Sequence, residues 1–233
     1  MSNHAFVRGL WGELNGPRYN KIFKDVERAI KIDKNLDTIT YVMGQNNYDF
    51  LTSKGLKCVL INKNPVGCHK YIWRHKLDIY AAAMSDFKEI VYLDWDCNLI
   101  KDIPLNFWNI LESKEPIQGC LYRWKSVNVC PWRKEQYIIN NGFLYFGDKN
   151  IPKEIIKLYD SFPNKHIWRR NDESVTSYYI DLLTNGWKDL VYWQKHYEPE
   201  CCYYSKGIFR KTKVNPVFHH YKTILKDGIY SVC

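Results

Sequence analysis

Two carboxylates one residue apart close an apolar run in Glu89-Ile90-Val91-Tyr92-Leu93-Asp94-Trp95-Asp96. A short run of apolar, β-branched and aromatic residues reads as a buried strand. Asp94 and Asp96 then stand at its carboxyl end, the edge where open α/β sheets hold their ligands. Residues i and i+2 of a strand point the same way, so the two carboxylates repel unless a cation lies between them. Hard divalent ions such as Mg²⁺ or Mn²⁺ take oxygen ligands and keep positions open for substrate phosphates. The competing interpretation of a bare Asp-x-Asp is a solvated loop. The strand before it, and Cys97-Asn98-Leu99-Ile100-Lys101-Asp102 after it, favour the metal site.

The elements that must position this pair alternate along the first hundred residues. Ala5 to Trp11 reads as a strand, and Pro17 suits the first position of a helix that continues through Tyr19, Ile22, Phe23, Val26 and Ile30. Thr38 to Met43 is a second strand, Asn47 to Lys54 a short helix and Lys57 to Ile61 a third strand. A helix over Lys70 to Ser85 leads into the strand that carries Asp94. Such alternation predicts an α/β fold with a mostly parallel central sheet flanked by helices. The second half predicts strands at Ile117–Tyr122, Tyr137–Phe146, Asp189–Trp193 and Val214–Phe218, with helices at Pro152–Ser161 and Ser174–Leu183. Its less regular order makes the C-terminal half mixed.

The 233 residues fit a single domain over 1–233. With 45% apolar and 16% aromatic residues, the chain can build a sizeable core and is not of the disordered class. Part of that aromatic complement suits a cleft in which ring-shaped ligands stack. The net charge of +9 favours anionic ligands. Its Lys and Arg are scattered, the tightest clusters being Arg169-Arg170 and Arg210-Lys211-Lys213, so phosphates are expected rather than nucleic acid. Met1-Ser2-Asn3-His4 lacks the start of a secretory signal, and no apolar window of about 18 residues predicts a membrane span. The expected setting is cytoplasmic, with the eight cysteines as reduced thiols rather than a disulfide framework or a zinc site.

The order of four motifs resembles the metal-dependent glycosyltransferases of the GT-A fold, which is Rossmann-like, and most closely their galactosyltransferase and glycogenin-like branch. They are the strand ending in Asp94-Trp95-Asp96, then Asn140-Asn141-Gly142 in a later strand, the acidic pair Asp172-Glu173 before a helix, and His219 after Val217-Phe218. The resemblance covers roughly residues 5 to 222 and implies a nucleotide-binding half over about 1–100 and an acceptor half over about 101–233. It implies transfer of a sugar from a nucleotide-sugar donor, a UDP-sugar, to a glycan or other hydroxyl acceptor, with Mn²⁺ (or Mg²⁺) bridging the donor diphosphate.

Residue by residue, the resemblance implies Asp94, Asp96 and His219 as metal ligands, with Asp94 and Trp95 beside the donor. Val7, Arg8 and Gly9 match the region that holds the nucleoside. Arg74 and Lys76 match a cation facing the donor, Asn140 and Gly142 line the sugar, and Lys222 is the candidate phosphate contact. Asp172 or Glu173 falls where acids lie near the reacting carbon. The chain departs from the pattern after His219, where it reads His220-Tyr221-Lys222-Thr223 instead of Gly and Lys-Pro-Trp, which leaves the stereochemical class open. An imidazole ligand favours Mn²⁺ over Mg²⁺. Several of these residues also have plain structural roles: Asp172 as a helix cap, Trp95 as a core plug, Asn140-Asn141-Gly142 as a bulge, Arg8 as an edge residue. His219 and His220 alternate sides of a strand, so one of them at most faces the metal. Two other functions fit paired acids and a metal: a sugar-nucleotide nucleotidyltransferase and a non-catalytic nucleotide-sugar binding module.

Overall fold

The computed structural model describes residues 3–12, 17–33, 35–63, 74–123, 137–161, 171–184, 190–199, 201–204, 216–220, 223–226 and 229–232. The first half follows the predicted alternation: β1 (His4–Leu10), α1 (Pro17–Ile32), β2 (Thr38–Met43), α2 (Gln45–Ser53), β3 (Lys57–Ile61), α3 (Arg74–Asp86) and β4 (Glu89–Leu93). There follow β5 (Cys97–Leu99), α4 (Phe107–Glu112), β6 (Ile117–Arg123), β7 (Tyr137–Phe146), α5 (Ile151–Ser161), α6 (Asn171–Leu183) and α7 (Leu190–His196). The chain closes with β8 (Cys202–Tyr204), β9 (Phe218–His220), β10 (Thr223–Lys226) and β11 (Ile229–Val232). Among the described residues, the main sheet runs β3-β2-β1-β4-β7-β6, parallel from β3 to β4 and antiparallel at β7 and β6. β5, β9 and β8 form a small second sheet. No described helix is long and apolar enough to cross a membrane.

Period-two alternation gives the main sheet a core on each face. In β4, Ile90 and Tyr92 join one buried cluster with Val7, Leu77 and Tyr80, while Val91 and Leu93 join another with Phe6, Phe107 and Phe218. α3 covers the first face through Leu77, Tyr80, Ala83 and Met84 at helical spacing. α1 packs Val26 and Ala29 against Leu10, Val42 and Trp95.

β7 changes face partway along. Ile139 lies in the first cluster and Ile138 in the second, but Leu144 and Phe146 lie in the first and Phe143 and Tyr145 in the second. The pairing with β6 steps from Gly119↔Leu144 to Cys120↔Asn140, so three extra residues, Asn141 to Phe143, bulge out of β7. An odd insertion inverts the alternation. The Asn140 side chain steadies the bulge by accepting from the Gly142 N–H at 2.9 Å.

Two predicted elements differ. Asp189–Trp193 was expected as a strand, yet Leu190–His196 is helical. Trp193 and Tyr197 are four residues apart, stack at 5.0 Å and are both buried in the first cluster, a helical contact that a five-residue window hides. The strand expected at Val214–Phe218 is found at Phe218–His220.

The turn between β4 and β5 hangs on one buried cation. Arg8, 1% exposed, donates to the Asp94 carbonyl at 2.7 Å and the Cys97 carbonyl at 3.1 Å, and pairs with the Asp33 carboxylate. Asp33 also accepts from Asn98 Nδ2 at 3.1 Å and the Leu99 N–H at 2.8 Å. Arg8 is thus not an edge residue, and its guanidinium is engaged by the turn and by Asp33. Removing one member of such a buried pair strands the other. Arg8→Met and Asp33→Leu should each cost about 3–5 kcal/mol in urea unfolding, and the Arg8→Met/Asp33→Leu double variant should cost less than the two single losses added. Strict additivity in that cycle would show that the two groups do not act as a pair.

Candidate functional site

Asp94 leaves the end of β4 with its backbone fixed from two sides. Its N–H donates to the Gly142 carbonyl at 2.8 Å, and its carbonyl accepts from Arg8. Its carboxylate is equally constrained: Lys76 Nζ lies 2.8 Å from Oδ1, and the Tyr92 hydroxyl donates to the same oxygen at 3.1 Å. Lys76 is 3% exposed, lies over the Tyr92 ring at 5.0 Å, and reaches Asp172 Oδ2 at 3.4 Å. Burial alone would lower the ammonium pKa, but Asp94, Tyr80, Tyr92 and Asp172 together raise it well above the ordinary lysine value. The Asp172 carboxyl is shifted up, first by burial and then by Asp94, against the opposing pull of Lys76 and Asn141. Asn141 Nδ2 donates to Asp172 Oδ2 at 3.1 Å.

Asp96 meets a histidine. Nε2 of His220 lies 2.9 Å from Asp96 Oδ1, and one donor atom each from Asp94, Asp96 and His220 falls within 4.8 Å of the others. The histidine in this position is therefore His220, one residue beyond the expected His219. β9 pairs antiparallel with β5, setting His220 opposite Cys97 and His219 opposite Asn98. Phe218 points into the core, so residue i+2 shares its inward side and His219 takes the other. The two apolar residues Val217 and Phe218 mask that alternation in the sequence.

Gly142 makes room for the imidazole. A Cβ there would lie 2.1 Å from His220 Cε1 and 2.5 Å from Nδ1. The ring is seated directly on the β7 bulge. Two carboxylates and one imidazole form a mixed oxygen–nitrogen donor set suited to a borderline divalent ion, and the glycine cradle holds the imidazole where such an ion needs it. The residues present fit the ion.

The remaining predicted residues divide. Lys76, Asp172 and Asn140 lie around the Asp pair. Asn140 Nδ2 donates to Glu173 Oε1 at 3.0 Å. Asp172 and Glu173 lie in the first turn of α6, which begins at Asn171, three residues earlier than expected. Arg74 is turned away, held by Asp78 at 2.6 Å and Asp160 at 3.0 Å on the side of α3 that faces α5. Trp95 is a core plug, its Nε1 donating to the Gly9 carbonyl at 2.9 Å under the Arg8 guanidinium. Val7 is fully buried, and a Cβ on Gly9 would collide with Ile79, so these positions supply packing. Lys222 lies outside the described residues. Sequence reasoning missed Tyr92 and Asn141; polar tips adjoining Asp94 and Gly142 in otherwise apolar strands are the signal that marks them.

No family model matches the sequence, and no curated protein matches it. Solved structures do. Mouse xyloside xylosyltransferase 1, in its apo form, aligns with a TM-score of 0.52 over 93% of this chain and 97% of that one, at 9% identity. A glycosyltransferase involved in the glycosylation of the major capsid of PBCV-1 aligns over 94% and 92%, at 12% identity and a TM-score of 0.46. At 9% identity the likeness to the xylosyltransferase concerns the fold alone, a GT-A-like α/β architecture.

The His220 imidazole tests the donor set. Burial lowers its pKa, but Asp96 outweighs this and the net value rises to about 9, from an ordinary 6.5. The His220–Asp96 pair therefore stabilises the metal-free fold fully below about 6.5 and loses that contribution as pH rises through about 9. A metal must displace this proton, so Mn²⁺ affinity should climb between pH 6 and 9, releasing about one proton. His220→Ala should weaken Mn²⁺ binding at least about tenfold, the scale at which even outer partners of a metal site act, and Gly142→Ala should do the same. Calorimetry in which His219→Ala is the more damaging variant would overturn the assignment.

Proposed function

We propose that the chain is a glycosyltransferase that moves a sugar from a nucleoside diphosphate sugar, a UDP-sugar, to a hydroxyl acceptor on a glycan. The observation that carries this reading is the convergence of Asp94, Asp96 and His220 beside the buried Lys76–Asp172 pair, at the carboxyl end of β4. The GT-A-type fold supports it, and the choice of uridine rests on the sequence resemblance. Mn²⁺ held by the three side chains would act as a Lewis acid, neutralising the charge that grows on the departing diphosphate.

The protein's own groups do the rest. Lys76 and Tyr92 lock the Asp94 carboxylate in one rotamer, so the donor meets a preorganised site. β1 lies beside β4 in the sheet, and Gly12, just beyond its end, is held by Asn47, whose Nδ2 donates to the Gly12 carbonyl at 2.9 Å. Trp11-Gly12 is the proposed nucleoside contact, in place of the inward-facing Val7 and Arg8. The acceptor hydroxyl must lose a proton. Asp172 is 4% exposed and engaged by Lys76 and Asn141, whereas Glu173 is half-buried on the same helical turn. Glu173 is thus the better-placed base, and Asp172 serves to hold Lys76.

A thermal-shift panel of nucleotide sugars with and without Mn²⁺ tests the reading, since a ligand that binds only the folded state raises the melting midpoint. A rise with UDP-sugars that requires Mn²⁺ is the expected result. Response to guanosine or cytidine donors alone would overturn the uridine assignment. Glu173→Gln should keep donor affinity and lose about 10²–10⁴-fold in turnover. Normal turnover in both Glu173→Gln and Asp172→Asn would assign proton removal to the donor's own phosphate.

A further inference from the structure

The amino-terminal ends of β1 and β4 bring together a second set of metal-binding side chains, remote from the first. The two strands are parallel, with His4 directly beside Glu89. His4 Nδ1 lies 3.3 Å from Glu89 Oε2. Glu112, the last residue of α4, brings its carboxylate to the same place. One donor atom from each of the three falls within 4.8 Å of the others. β4 runs from Glu89 to Leu93, so this cluster and Asp94 stand at opposite ends of one strand, roughly 17 Å apart at the strand rise per residue.

The three side chains differ in kind and in freedom. The His4 ring is stacked on Trp108, with centroids 4.8 Å apart and planes 27° from parallel, which fixes its direction. Glu89 is 2% exposed. Glu112 reaches in from the surface. Two carboxylates this close need a positive charge between them. Lys88 supplies one now, its Nζ 2.9 Å from Glu89 Oε1 and 3.9 Å from Glu112 Oε1. Its side chain is 65% exposed, however, so the ammonium can swing into water at little cost. Nothing comparable frees Lys76, which is enclosed at the other end of the strand.

We propose that His4, Glu89 and Glu112 form a second divalent-cation site, which a borderline first-row ion such as Zn²⁺ or Co²⁺ enters as Lys88 swings out. One imidazole and two carboxylates favour such ions over Mg²⁺ or Ca²⁺, and three protein ligands leave the remaining positions to water. Bound there, the ion ties β1, β4 and α4 together. It takes no part in the chemistry at Asp94.

Titration of the full-length chain with Co²⁺, followed by calorimetry and visible absorption, tests this. The parent should bind two equivalents. Glu112→Gln and His4→Gln should each lose one, while keeping binding of Mn²⁺ with UDP. Asp96→Asn should lose the other. Lys88→Met should tighten the second site, because the competing ammonium is gone. The spectrum of that equivalent should lack the intense near-ultraviolet band of thiolate ligation, which separates it from binding at cysteines. Two equivalents retained in both Glu112→Gln and His4→Gln would overturn the proposal, as would unchanged affinity in Lys88→Met. Glu112 is a surface side chain, so its variant remains informative even if replacing the stacked His4 weakens the fold.

Discussion

Carboxylates cannot be gathered at the edge of a sheet unless cations hold them there, and Lys76 is the cation on which this molecule depends. Its ammonium stands between Asp94 and Asp172, out of reach of water, with the Tyr92 ring beneath it. Without it, Asp94 and Asp172 would converge as bare negative charges, where burial makes repulsion strongest. His220 answers Asp96 in the same way. One level further in, Arg8 does for the backbone what Lys76 does for the side chains, holding the carbonyls on either side of the turn while Asp33 balances its charge. Burial makes each of these pairs strong and also makes each costly to break. The acid-bearing turn is therefore rigid before any ligand arrives.

What could be read from the sequence followed the strength of its periodic signals. The strand ending at Asp94 is five buried residues in a row and admits one interpretation. The alternation of strands and helices up to β4 gave the parallel half of the sheet. Beyond β4 the signals weaken for identifiable reasons. Val217 and Phe218 are both apolar, so the side of the strand taken by each following histidine was hidden until β5 set the register. α7 was mistaken for a strand because the helical contact of Trp193 with Tyr197 extends past the window considered. Arg74 and Lys76 look equivalent in sequence, but two residues on a helix turn them to different faces. Only the partners, Asp160 on one side and Asp94 on the other, distinguish them. Arg8 is an anomaly in any apolar strand, and its explanation, Asp33, lies 25 residues away after a helix. Long-range pairs of this kind leave no local trace.

The bulge in β7 constrains how this part of the gene can change in length. Its three additional residues put Ile139 and Leu144 on the same face although their numbers differ by five. Loss or gain of one codon between them would turn one arm of the strand inside out, sending Phe143 and Tyr145 towards the core now filled by Leu144 and Phe146. Changes by two codons would preserve the facing of both arms, but they would displace the glycine beneath His220 or the amide that braces it. Among viable descendants of this chain, insertions and deletions should therefore collect in the loops and leave the segment from Ile139 to Leu144 at constant length.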